Sequence, residues 1–230
     1  MAFKKMSHCC CLSIVSSSQP FKGDISMLFA SPIVKEQVTL DPRFAGLKEV
    51  TNEDLATIAM ERRGLRDLEV MRHVNSMLKE ANKEKGSNFI ALRLYNGGGE
   101  RLWLDSEKYS DNAGVWKYPP DLFIDPGQWS VIVAEGVKVP KTGNVSAGLT
   151  IGYIGDESNI SVCWCAVGED ALVILNDDSK KQDQKRPPQA NSAALHGIVA
   201  TIRRGFSGDN VVVDGNYTTL RHFPYPHKQF

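Results

Sequence analysis

At Asn88 the apolar residues of this chain stop recurring every three or four positions and begin to alternate, and that change of period limits the folds open to it. Alternation puts every second side chain on one face of a strand, whereas the helical repeat of about 3.6 residues lines them along one stripe. Beyond Asn88, short β-branched and aromatic runs are separated by Gly, Pro, Asn and Asp. They predict strands near 88–95, 100–105, 128–135, 145–154, 159–167, 171–175, 197–203, 210–214 and 216–222. No helix-length segment separates these runs, which argues against a parallel doubly wound sheet. The expected fold is mainly β, an antiparallel β-sandwich.

Before the switch, residues 51–85 read TNEDLATIAMERRGLRDLEVMRHVNSMLKEANKEK. Leu55, Ile58, Ala59, Leu65, Leu68, Met71, Val74, Leu78 and Ala81 recur at helical spacing, so one long amphipathic helix precedes the sandwich. Thr51 and Asp54 have the spacing of a capping box, and Glu53 adds negative charge where the helix dipole favours it. Gly86 supplies a stop, and Gly64 is a weak point inside the pattern.

The stretch ALRLYNGGGERLWLD, residues 91–105, sets a glycine triplet after an apolar run. A phosphate-binding loop needs a helix behind it and, for nucleotides, a Gly-Lys-Ser/Thr ending; neither follows. Leu102 and Leu104 continue the alternation of Ile90, Leu92 and Leu94, so Asn96-Gly97 is expected to turn a hairpin. Asp214-Gly215 offers a second hairpin, and Asp125-Pro126-Gly127-Gln128 a type II turn. In VSAGLTIGYIG, Val145, Ala147, Leu149, Ile151 and Tyr153 form a bulky face opposite Ser146, Gly148, Thr150 and Gly152, a pattern suited to close packing between sheets.

Composition narrows the function. A chain of 230 residues with 27 basic and 27 acidic side chains lacks the cationic excess that displaces counterions from a nucleic-acid backbone. No apolar run approaches the roughly 20 residues of a transmembrane helix. Cys9, Cys10, Cys11, Cys163 and Cys165 are odd in number and tightly clustered, which suits a reducing compartment better than a disulfide framework. The expected location is cytoplasmic, or organellar if residues 1–26 act as a transit peptide. Those residues are basic, serine-rich and free of acid up to Gly23, and are read as a disordered or targeting leader. Residues 27–86 form the helical N-terminal segment, and residues 87–230 the sandwich domain. Within the latter, the charged, proline-containing 176–192 is expected to be a mobile loop.

Several motifs in order carry a family resemblance: SPI at 31–33, the capped helix from Thr51, LRLYNGGGERL at 92–102 and PPDLFIDPGQWSVIV at 119–133. Over Met27 to Leu175 the chain resembles the plant jasmonate-induced 23 kDa protein family, and more distantly the nakanori-like and actinoporin-like lipid-binding proteins. The resemblance implies a stress- or jasmonate-responsive plant protein acting without catalysis, with a sphingolipid or choline headgroup as a partner and no catalytic residue to carry over.

The residues offer one candidate binding site. WLDSEKYSDNAGVWKYPP, residues 103–120, gathers Trp103, Tyr109, Trp116 and Tyr118 around polar positions, and aromatic faces attract quaternary ammonium groups. Lys117 supplies a cation for a phosphate. The competing reading has these rings covering one end of the sandwich. Cys163 and Cys165 lie two apart on a predicted strand and share a face, without the second pair that zinc requires; they are expected to be buried, inert thiols. His222 and His227 fall in a proline-containing tail. No metal site, cofactor or catalytic constellation is expected, since neither a Gly-x-Ser-x-Gly elbow nor a Glu-Ala-x-Arg motif occurs. The alternatives are a carbohydrate-binding or carbohydrate-active protein using acids such as Asp105, Glu107 or Asp111, and a protein-interaction module without a small ligand.

Overall fold

The computed structural model describes residues 28–83, 88–109, 116–138, 145–146, 148–167, 170–177, 191–207, 210–219 and 221. The leader, Gly86, Asp111, His222, His227 and residues 178–190 of the charged segment lie outside the described residues. Two helices, α1 (Lys35–Thr39) and α2 (Asn52–Ala81), follow a short strand β1 (Leu28–Phe29). The remaining strands are β2 (Asn88–Gly97), β3 (Leu102–Tyr109), β4 (Trp116–Tyr118), β5 (Phe123–Ile124), β6 (Trp129–Lys138), β7 (Val145–Ser146), β8 (Gly148–Gly155), β9 (Ile160–Val167), β10 (Asp170–Asp177), β11 (Ser192–Leu195), β12 (Ile198–Ser207) and β13 (Asn210–Thr219). They form two sheets. The larger has the order β1-β6-β2-β13-β12-β11 with β4 and β7 also along β6, and the smaller the order β10-β9-β8-β3-β5.

The expected sandwich with a long preceding helix is what the chain forms, in three layers. Strand β2 shows how. Ile90, Leu92 and Leu94 point between the sheets, where they meet Ile151, Tyr153 and Trp164. Phe89, Ala91 and Tyr95 point the other way, onto Val70, Val74, Met77 and Leu78 of α2. Both faces of the strand are therefore buried, each large apolar side chain contributing about 1.5–3 kcal/mol. Every described strand pair is antiparallel except β2–β13, which runs parallel from Val211 opposite Ile90 to Thr218 opposite Gly97.

The capping box is present: Asp54 N–H donates to Thr51 Oγ1 at 3.3 Å and Thr51 N–H to Asp54 Oδ2 at 2.9 Å. The buried stripe of α2 differs from the expected one, because Leu65 and Leu68 are 79% and 70% exposed. Between Ala59 and Val70 the stripe runs instead through Arg63 and Asp67. The Arg63 guanidinium lies 5.9 Å from the Tyr95 ring and 5.8 Å from the Trp129 ring. Asp67 accepts from Arg93 Nη1 at 3.0 Å. A helix position three or four residues on faces the sheet whether it is apolar or not, and here the sheet presents a buried arginine.

Arg93, with a side chain 5% exposed, also donates to Asp214 Oδ1 at 2.5 Å, and these two acids hold its proton more firmly than usual against the opposing effect of burial. Arg93→Ala is expected to lower unfolding free energy by about 2–4 kcal/mol, below the full cost of a lone buried charge because Asp214 keeps some solvent. In chemical denaturation Asp214→Asn should recover part of that loss in the Arg93→Ala background; a fully additive double variant would argue against the pairing.

Two expected hairpins are corrected. Strand β2 belongs to the larger sheet and β3 to the smaller, so the glycine triplet carries the chain from one sheet to the other. Asp214-Gly215 lies inside β13, where a Cβ on Gly215 would stand 2.4 Å from Leu94 Cδ2 and 2.9 Å from Trp164 Nε1. That glycine serves close packing between layers. Strands 210–214 and 216–222 are accordingly one strand, and the antiparallel pairing of β12 with β13 closes at Ser207 opposite Asn210. A two-residue turn with positive φ at both positions occurs instead at His196 (φ 46°) and Gly197 (φ 81°), between β11 and β12. The turn at Asp125–Gln128 is as expected: Gly127 has φ 79°, and Gln128 N–H donates to the Asp125 carbonyl at 3.1 Å.

Candidate functional site

The five residues singled out in the sequence divide among the layers. Trp103 lies on β3 of the smaller sheet and is 39% exposed, its neighbour Leu102 filling the core. Tyr109 ends the same strand opposite Leu149. Trp116, Lys117 and Tyr118 form β4 on the larger sheet, all half-buried. A register shift between Trp116 and Tyr118 turns their rings to different layers, Trp116 onto the core between the sheets and Tyr118 onto the core beneath α2. The structure thus separates Trp103 from the Trp116–Tyr118 pair. Of the acids considered for sugar chemistry, Asp105 is exposed at an irregularity in β3, and the Glu107 side chain lies outside the described residues.

Around Trp103 the fold assembles partners far apart in sequence. Register places Trp103 opposite Phe123 of β5, with ring centroids 5.5 Å apart and planes at 61°. The Arg101 guanidinium sits 4.3 Å from the Phe123 centroid and 5.1 Å from that of Trp103. It is anchored by two bonds to Asp125, Nε to Oδ1 at 2.6 Å and Nη2 to Oδ2 at 3.1 Å. The pairing with Asp125 raises the Arg101 pKa above its usual value. Trp103 Nε1 donates to Asp156 Oδ1 at 2.9 Å. Leu122, 72% exposed, precedes Phe123, and its carbonyl accepts from Leu104 N–H at 2.8 Å. The result is an exposed aromatic and aliphatic edge whose guanidinium is paired with Asp125 and whose indole N–H is paired with Asp156. Such an edge suits an interface with one apolar and one wet side. Arg101, Leu122, Phe123 and Asp156 were not singled out in the sequence. An apolar pair inside the proline-flanked PPDLFIDP was the available signal, but only strand register brings it to Trp103.

Behind this edge lies the glycine triplet. Asn96, fully buried, donates from Nδ2 to the carbonyls of Glu100 and Ile124, both at 2.8 Å, and accepts from Gly98 N–H at 3.0 Å. Glu100, 7% exposed, accepts from Glu157 N–H at 2.9 Å, Ser158 N–H at 2.8 Å and Tyr217 OH at 2.7 Å. Burial and the Glu100 charge push the Tyr217 phenol pKa up. The first residue of α2 packs on the triplet, where a Cβ on Gly99 would fall 1.8 Å from the Asn52 carbonyl oxygen. The triplet seats the first residue of a helix. Cys163 and Cys165 are both buried on β9.

Taken together, the chain is a helix-backed β-sandwich with an exposed aromatic edge, and no helix among the described residues is long and apolar enough to cross a membrane. The sequence model of the Nakanori-like protein family matches residues 29–180, and the chain belongs to that family. Among solved structures, the crystal structure of the lipid binding protein Nakanori is similar in fold, with a TM-score of 0.62 at 15% sequence identity, covering 84% of this chain and 100% of that one. No curated protein matches the chain.

Proposed function

We propose that the protein is a non-catalytic lipid-binding module that meets a membrane surface through the edge built on Trp103 and Leu122. The observation that carries this reading is the exposure of those two side chains beside Phe123 and a guanidinium already paired with Asp125. Apolar insertion there leaves no cation buried alone. Membership of the Nakanori-like family and the described lipid binding of Nakanori support it. A choline or sphingolipid headgroup is the finer form of the proposal, with the Trp103 face as the cation-attracting surface and Tyr109, Trp116, Lys117 and Tyr118 as the further residues of the sequence reading. In the same reading the protein is cytoplasmic and acts in a plant's stress or jasmonate response, which transcript abundance after jasmonate treatment would test.

Sedimentation with sphingomyelin and phosphatidylcholine liposomes, run beside a glycan array, tests the site. Trp103→Ala with Leu122→Ala is expected to weaken liposome binding about 100-fold, since each buried apolar side chain is worth about 1.5 kcal/mol or more and 1.4 kcal/mol is tenfold. Thermal stability should fall only moderately, because Leu122 is exposed and Trp103 gives up a surface packing contact with Phe123 and one hydrogen bond to Asp156 but leaves no cavity in the core. Trp116→Ala and Tyr118→Ala remove packed rings, so stability should fall first. Unchanged liposome binding by the Trp103 and Leu122 double variant would discard this edge, and binding to glycans alone would discard the lipid reading.

A further inference from the structure

The alternation of β9 sends Val162, Trp164 and Ala166 into the core between the sheets and leaves Cys163 and Cys165 on the opposite face of the smaller sheet. Their sulfurs are 3.8 Å apart, and the residues are 7% and 2% exposed. Cys163 stands opposite Gly152 and Ile174, and Cys165 opposite Thr150 and Leu172. Thr150 Oγ1 donates to Cys165 Sγ at 3.5 Å.

We infer that this pair is a two-thiol site for one thiophilic centre, of the trivalent arsenical class. A direct disulfide is opposed by the strand. Side chains two apart on it leave the backbone about 6.6 Å apart and nearly parallel, whereas a disulfide draws its Cβ atoms to about 3.5–4.5 Å. Since β9 is paired along both edges, it cannot buckle without breaking both ladders. A one-atom bridge suits the spacing. With bonds of about 2.3 Å to each sulfur, as for a zinc thiolate, sulfurs 3.8 Å apart subtend about 110° at the bridging atom.

Charge selects among thiophiles. A monovalent copper ion held by two thiolates keeps a net negative charge, costly beside half-buried Leu172 and Ile174. A divalent zinc or cadmium ion needs further ligands, and among the described residues no three His, Cys, Asp or Glu side chains converge. An arsenical of the form R–As(OH)2 instead condenses with both thiols. Two As–S bonds form, two As–O bonds break, and each thiol proton leaves with a hydroxyl as water. Arsenic stays trivalent and the product is neutral.

The test is titration of the full chain, carrying Cys9, Cys10 and Cys11→Ser to remove competing thiols, with phenylarsine oxide under native conditions. Intact mass should show one arsenic per chain at the cost of two titratable thiols. Release should follow addition of a small dithiol and not an equal concentration of monothiol, and the thermal midpoint should rise with adduct formation. Cys163→Ser and Cys165→Ser, checked for native circular dichroism, should each shorten retention at least 100-fold. Absence of an adduct on the folded chain, an adduct formed only after denaturation, or retention unchanged in either single variant would overturn the assignment. If a serine variant does not fold, the two-to-one thiol loss on the folded parent decides.

Discussion

Gly99→Ala is expected to give a chain that folds poorly or not at all. The new methyl would lie 1.8 Å from the Asn52 carbonyl oxygen, 2.4 Å from its carbonyl carbon and 2.5 Å from its Cα. All three are backbone atoms at the start of α2, so no side chain can swing aside. Relief requires lifting the helix end off the triplet, which disturbs the capping box at Thr51 and the bond from Asn52 Nδ2 to Glu157 Oε2 at 2.8 Å. Overpacking commonly costs about 1–3 kcal/mol and more where the backbone must move, against a total stability of about 5–15 kcal/mol. Gly64→Ala is the control. A Cβ there meets nothing within 4 Å, and alanine in a helix interior gains about 0.5–1 kcal/mol. Chemical denaturation of the two variants should therefore move the midpoint in opposite directions; similar midpoints would show that the helix end does not rest on the triplet.

The second large effect is expected at Glu100. Glu100→Ala removes a buried acceptor of three hydrogen bonds and leaves Tyr217 OH and the N–H groups of Glu157 and Ser158 without it. With about 1–3 kcal/mol for each buried donor left unsatisfied, and some relief from entering water, the net loss should reach about 3–5 kcal/mol. Glu100→Gln should cost much less. Its amide oxygen can face the two N–H groups, and its NH2 can donate to the Tyr217 oxygen, which also accepts. Equal losses in the two variants, measured by urea unfolding, would show that Glu100 acts through its charge instead of its hydrogen bonds.

How much of this was legible in the sequence depends on how local each signal is. The cap at Thr51, the type II turn at Gly127 and the shared face of Cys163 and Cys165 rest on neighbours within a few residues, and they stand as expected. At Asn96-Gly97 the alternation of Leu102 and Leu104 continues that of β2 and points to a hairpin, without revealing that β3 has joined the other sheet. At Gly215 the local signal for a turn was outweighed by Leu94 and Trp164, which need the space. Hydrophobicity alone places Leu65 and Leu68 in the buried stripe, whereas Arg63 and Asp67 occupy it because their partners are two aromatic rings and Arg93 on distant strands. The aromatic site was half visible: Trp103 stands out in the sequence, but Arg101, Leu122, Phe123 and Asp156 join it through register and loop placement.

The sequence alone determined the period of each segment, hence one capped helix followed by many strands, because backbone geometry sets which side chains share a face. Only the tertiary structure decided which sheet each strand enters, which polar groups are buried and which aromatics reach solvent. Those outcomes depend on contacts between residues a hundred or more positions apart, as between Glu100 and Tyr217, and no local spacing encodes them.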